Sequence, residues 1–153
     1  MQDLWFEDMT VGRVFTTGGA TMSEGQILDF ALRWDPQPFH IDKVAAEDWG
    51  YGGLIASGFH TMVVAFRLYY AEKIINKASL GSPGFDHLKW PRPVRPGDTI
   101  SVRSTIKEAR ASQSKPDRGI VKAHFEVLNQ KGELVMEFLA TQILRKRPAD
   151  ETA

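Results

Sequence analysis

The chain has no cysteine, which removes at once a disulfide framework, a thiolate nucleophile and a thiolate zinc site. That composition suits a reducing compartment, so the cytoplasm is the expected location. It also has no excess of charge: 19 Lys plus Arg balance 19 Asp plus Glu. No bulk field therefore exists to hold nucleic acid or an anionic membrane, and any anionic ligand has to be caught locally. No apolar run approaches the ~20 residues that span a bilayer. The opening segment, Met1 to Thr10, carries Asp3, Glu7 and Asp8 in place of the basic start and apolar core of a secretory signal. A glycine-rich phosphate loop is missing too, because Gly18-Gly19 reads only as a turn.

What the chain does have is enough apolar material for one core. With 153 residues and 42% hydrophobic content, a single domain over residues 1–153 is expected. Val11 to Ala20 reads as an opening strand or hairpin, and Ser23 as the start of a short helix running to Arg33. Pro36 and Pro38 end that helix. An irregular stretch follows from Asp35 to Gly53, with one possible helical turn at Lys43 to Trp49. Ser57 to Lys77 is apolar on nearly all sides, which predicts a central helix buried by sheet. Strand-like segments then run over His87–Trp90, Thr99–Ala109, Gly119–Asn129 and Glu133–Lys146, with turns at Pro96-Gly97-Asp98 and Asn129 to Gly132. Strands gathered around one helix imply an α+β fold, and the exposed edges of such a sheet favour a homodimer or a higher homo-oligomer of dimers. The polar tail, Arg145 to Ala153, is expected to fray.

The most informative stretch is Trp34-Asp35-Pro36-Gln37-Pro38-Phe39-His40-Ile41-Asp42. Two prolines stiffen the backbone between a carboxylate and an imidazole, as a pre-organised acid/base pair requires. The same spacing also fits a turn-capping Asp35 and a His40 in a hydrogen-bonded niche, and spacing alone favours that plainer reading. His40 and Asp42 are two potential metal ligands with no evident third partner, so no metal is expected. His60, His87 and His124 read as packed or exposed structural residues. Lys89, Arg92, Arg95, Arg110, Lys115 and Arg118 make the later turns locally basic, diluted by nearby acids. The polar loop Ser112 to Gly119 has no interleaved aromatics and does not argue for nucleic acid.

The motif closely resembles that of the MaoC-like dehydratases, also called R-specific enoyl-CoA hydratases, at Asp35, Pro38, His40 and Asp42. This chain has Trp34 where the family commonly has glycine and Gln37 where it commonly has asparagine, changes that bear on the pocket mouth. Three further segments resemble the family in order. Phe6-Glu7-Asp8-Met9 with Val11-Gly12 is similar to its opening strand, Leu54-Ile55-Ala56-Ser57-Gly58 to its approach to the central helix, and Pro93 to Asp98 to its later turn. The similarity covers roughly residues 5 to 146.

The resemblance implies a hot-dog fold, an antiparallel sheet wrapped around a long central helix. It also implies reversible hydration of a trans-2-enoyl thioester, with Asp35 and His40 catalytic. The Gly58 amide would hold the thioester oxygen at the helix start, where backbone N–H groups are free, with Ser57 as its N-cap. Arg92 and Arg95 are candidates for the phosphates of coenzyme A, which enters only as the substrate's handle. No consumed cofactor, nucleic acid or membrane partner is expected. Two rival functions remain open at this point, a thioesterase on the same fold and a non-catalytic acyl-CoA-binding protein.

Overall fold

A computed structural model of the chain describes residues 3–151. After a 3-10 turn at Phe6–Asp8, the elements are β1 (Val14–Thr16), β2 (Ala20–Thr21), α1 (Glu24–Trp34), α2 (Pro38–Ile41), α3 (Gly58–Ala71), β3 (Gly84–Lys89), β4 (Thr99–Ala111), β5 (Arg118–Leu128) and β6 (Leu134–Arg145). A second 3-10 turn, Ala45–Asp48, sits between α2 and α3, inside the stretch expected to hold a helical turn. The strands form one antiparallel sheet in the order β1-β4-β5-β6-β3, with β2 also paired to β4. The expected α+β architecture is therefore present, with α3 laid against the sheet.

Strict alternation builds the sheet. Along β5, Gly119, Val121, Ala123, Phe125 and Val127 are buried while their neighbours are only partly so, the period of a sheet with one face on the core. The β5–β6 hairpin closes through Asn129, whose side-chain carbonyl accepts from the backbone N–H of Lys131 and Glu133, and through Gly132 at φ 74°. Glycine adopts that left-handed conformation without the clash a Cβ would bring. At the start of α1, Ser23 and Gln26 bond reciprocally, side chain to backbone in each direction, a capping box that satisfies two otherwise unpaired donors.

Four expectations need correcting. The 6–9 segment is a turn and not a strand, because the Asp8 carboxylate accepts from the Trp5 N–H and closes it. The tail does not fray at Arg145: Arg147 donates to both carboxylate oxygens of Asp8 at 3.0 and 2.9 Å and, through its backbone, to Glu7. The described residues end at 151, so Thr152 and Ala153 lie outside them. The long helix stops at Ala71; Lys73 has φ 57°, and Ile74, Ile75 and Ala78 reach the core from irregular backbone.

The fourth correction concerns burial of α3. His60, Thr61, Ala65 and Tyr69 are buried, but Phe59, Val63, Phe66 and Tyr70 stand 44–60% exposed. A single sheet covers one side of a helix only. The remaining apolar stripe, beside the free edge of β3, stays open in one copy of the chain.

Candidate active site

Helix α1 ends by delivering Asp35. Its N–H still closes on the Ala31 carbonyl at 2.9 Å, Asp35 is the C-cap, and Pro36 prevents another turn. Pro38 then opens α2, a single turn that carries His40 round to face Asp35. The His40 Nε2 and Asp35 Oδ2 atoms lie 3.3 Å apart, with the residues 5% and 9% exposed. The structure thus brings the two predicted catalytic residues together.

Hydrogen bonds orient both. The Nδ1 of His40 is 2.7 Å from the Ile55 carbonyl. A carbonyl only accepts, so Nδ1 carries a proton and Nε2 is the nitrogen presented to Asp35. The Ser57 hydroxyl donates to Asp35 Oδ2 at 2.7 Å, and the Gln37 amide donates to Oδ1 at 2.7 Å. Burial pushes the Asp35 pKa up, but the Ser57 hydroxyl, the Gln37 amide and neighbouring His40 outweigh it, leaving the carboxyl below its ordinary value. The group is therefore an anion across the neutral range. Because its folded value is depressed, it contributes stability above the ordinary carboxylate range and loses it as pH falls through the folded value.

Ser57 departs from its expected role. It occupies the N-cap position of α3, yet its side chain makes no cap and is spent on Asp35. Ser57→Ala removes the first of the contacts that lower Asp35, so the acid limb of the activity profile should move to higher pH. A profile measured from pH 4 to 8 that stays in place would show the hydroxyl to be immaterial.

Gly58, the first helical residue, lies beside Asp35 and His40 on a cavity of about 390 Å³ that also includes Phe39, Thr61, Trp90 and Arg92. Its N–H has no intrahelical acceptor by its position. Its missing side chain has a structural use the sequence did not reveal. A Cβ there would come within 2.5 Å of the Trp90 indole, whose Nε1 donates to the Gly58 carbonyl at 3.2 Å. Trp90 in turn meets Phe59 edge to face at 6.3 Å.

The two candidate arginines part company. Arg92 stands at the cavity, 59% exposed and paired with Glu133 at 3.1 Å. Arg95 is turned onto the Tyr51 carbonyl, holding the 42–53 loop. Asp42 is also occupied, accepting from the N–H groups of Val44 and Ala45 at 3.0 and 2.9 Å. Among the described residues no group of three His, Asp or Glu is arranged to hold a metal. Trp34 is 72% exposed and lines a separate hollow with His60 and Arg67, away from the Asp35 cavity. His60 stacks on Phe30 at 4.6 Å, and burial lowers its pKa. His124 pairs with Glu137 at 3.0 Å, while His87 sits in a β3 irregularity at φ 57°.

Phe39, Thr61 and Trp90 were not anticipated as site residues, and Gln37, expected only to bear on the pocket mouth, also orients Asp35. Gln37 carried a usable signal, since an amide two residues from a carboxylate in a proline-stiffened turn can fold back on it. Trp90 carried none, being 32 positions from its partner Gly58.

A buried carboxylate and imidazole lie 3.3 Å apart at the mouth of a long helix laid on an antiparallel sheet, and that architecture is a hot-dog fold. The sequence profile described as "MaoC like domain" matches residues 7–126. The chain belongs to that family of MaoC-like dehydratases, which includes hydratases and dehydratases. The MaoC-like dehydratase from Rhodospirillum rubrum superposes with a TM-score of 0.89 at 37% identity, covering 95% of this chain and 99% of that one. The protein YdeM of Bacillus subtilis is 31% identical over 86% of this chain and 92% of its own length. The mesaconyl-CoA hydratase of Cereibacter sphaeroides is 30% identical over 56% of this chain, which spans 25% of that protein. Among the described residues no helix is long and apolar enough to cross a membrane.

Proposed function

We propose that the protein is an enoyl-thioester hydratase acting reversibly as a 3-hydroxyacyl-thioester dehydratase, with coenzyme A as the substrate's handle. The observation that carries this reading is the 3.3 Å approach of His40 Nε2 to Asp35 Oδ2 beside the start of α3. The thioester oxygen sits on the Gly58 N–H, which draws charge from the conjugated double bond. A water molecule on the cavity side contacts both Asp35 and His40. Asp35 accepts its proton as the oxygen adds to C3, and the pair returns a proton to C2, so one H and one OH are added and nothing is oxidised. The reverse sequence dehydrates. The phosphates of the handle fall to Arg92, which lines the cavity, whereas Arg95 does not line it and is turned onto Tyr51.

The test is loss of enoyl absorbance from a panel of trans-2-enoyl-CoA esters, with free thiol followed in parallel. Absorbance loss without thiol supports hydration. Thiol release would make the protein a thioesterase, and binding without turnover would make it a carrier.

The reading includes a homodimer. The stripe of Phe59, Val63, Phe66 and Tyr70 and the free edge of β3 are the surfaces a second copy would bury. Sedimentation should give twice the chain mass, and Phe66→Glu, which sets a charge in that stripe, should shift the mass toward a single copy. A single-copy mass for the unmodified protein would sink the dimer.

A further inference from the structure

His40 owes its place to more than the Ile55 carbonyl. The Phe39 ring meets the imidazole edge to face at 4.5 Å, and Phe39 is itself lodged against the rings of Trp49 and Tyr51 at 5.6 and 5.5 Å. Its carbonyl accepts from the Ile55 N–H at 3.0 Å. Phe39 therefore touches both the imidazole and the segment whose carbonyl orients it. The two outer rings are not fixed by burial, for Trp49 stands 47% and Tyr51 45% exposed.

Their backbone is not stiff either. Gly50, Gly52 and Gly53 surround them, with Gly52 at φ 66° and Gly53 at φ 137°, and glycine leaves a segment more conformations than any other residue. The backbone bonds at this tip are local: Gly52 donates to the Trp49 carbonyl at 3.0 Å and Gly53 to the Ala46 carbonyl at 3.2 Å. Among the described residues, one hydrogen bond joins 47–53 to another part of the chain, from the Arg95 guanidinium to the Tyr51 carbonyl.

That donor is firmly anchored. The Arg95 N–H donates to the Asp98 carboxylate at 2.8 Å, and its carbonyl accepts from the Asp98 N–H at 3.0 Å, which closes the turn in both directions. The neighbouring Val94 carbonyl accepts from the Ala56 N–H at 2.8 Å. A guanidinium is a rigid, permanently charged fork. Its Nη2 takes the Tyr51 carbonyl while Nη1 lies along Gly53, 3.8 Å from where a Cβ would stand, and a charged donor binds a carbonyl more strongly than a neutral one. Arg95 does not line the Asp35 cavity, so it meets no substrate held there. We propose that Arg95 is a positioning residue for Asp35 and His40: its fork pins the tip of the 42–53 loop, the Tyr51 ring then holds Phe39, and Phe39 holds the imidazole at Asp35. Its effect on rate rests on the hydratase reading above, whereas its effect on His40 does not. Without the fork, the tip lifts and the imidazole is left to swing about its one bond to Ile55.

The test compares Arg95→Met, which keeps the aliphatic stem and deletes the fork, with Arg95→Lys, which keeps one charged donor. The first readout needs no substrate: exchange of the His40 Nδ1 proton with solvent, followed by NMR on the full chain. Buried on the Ile55 carbonyl, that proton should be protected in the unmodified protein, and Arg95→Met should speed its exchange at least about tenfold, with Arg95→Lys falling between. The second readout is turnover of a trans-2-enoyl-CoA ester. Arg95→Met should lower kcat about tenfold, while free coenzyme A binds as before and the thermal midpoint holds. Tyr51→Ala cuts the same path at its next link, so Arg95→Met added to it should cost little more. A His40 proton that already exchanges freely in the unmodified protein, or one equally protected in Arg95→Met, overturns the proposal. Weaker coenzyme A binding with that proton unaffected would make Arg95 a phosphate contact instead, and a midpoint lowered in both variants would make it a brace of the fold alone. Loss of protection in Arg95→Met, with no enoyl hydration by the unmodified protein, would sink the hydratase reading alone. Hydration with both readouts untouched by Arg95→Met would sink this inference alone.

Discussion

Asp35→Asn and His40→Ala should each lower kcat/KM for enoyl-thioester hydration on the order of a thousandfold, with neither variant unfolded. Asparagine keeps the shape of the carboxylate but cannot take up a proton, and the Ser57 hydroxyl, now donating to Asp35 Oδ2 at 2.7 Å, can rotate to accept from the new amide. The fold loses little while the chemistry loses its base. His40→Ala removes the imidazole that faces Asp35 and frees the Ile55 carbonyl. If the two residues hold one water between them, each is useless without the other, so the double variant should be scarcely worse than either single one. Losses that multiply would mean the residues act independently and would rule out a shared water. Near-normal rates in either variant would remove the site altogether.

Gly58→Ala should lower the same rate about a hundredfold, in line with the cost of ~1 Å misplacements at reacting centres. The new methyl would stand 2.5 Å from the Trp90 ring, so the indole has to leave its seat and the start of α3 has to shift with it. Trp90→Ala combined with Gly58→Ala makes room for the methyl and should recover part of the loss. If the single variant is fully active, the position of the Gly58 amide is not critical. If the double variant recovers nothing, the ring is not the cause.

The fold was largely legible in the sequence because its main signals are local. The alternation from Thr99 onward foretold β4, β5 and β6 to within a few residues, and Ser23 marked the start of α1 one residue early, as a cap does. The segments that misled are those where local and long-range demands part. Ile74 and Ile75 continue the apolar density of α3 after the backbone has left the helix at Ala71, because the core accepts side chains from irregular chain as well. Phe6 to Met9 resembled a strand, but the Asp8 carboxylate captures the Trp5 N–H first. At the site, the 35–40 spacing identified the pair, whereas its orienting contacts were invisible. The Ile55 carbonyl is a backbone atom 15 residues from His40, and the Ser57 hydroxyl had an equally good use as a cap.

Asp35, His40, Ser57 and Gly58 sit at helix ends and in connecting chain, none of them within a strand. The sheet, with long ladders between β4, β5 and β6, is the part of the molecule hardest to open. Segments held by fewer backbone bonds open at lower free energy than the ladders they rest on. Warming should therefore silence this protein before it melts: the loop from Asp35 to Gly53 can lift, separating base from imidazole, while every strand is still in place. Loss of function would then report on a hinge and not on the core, and cooling would restore it without any refolding.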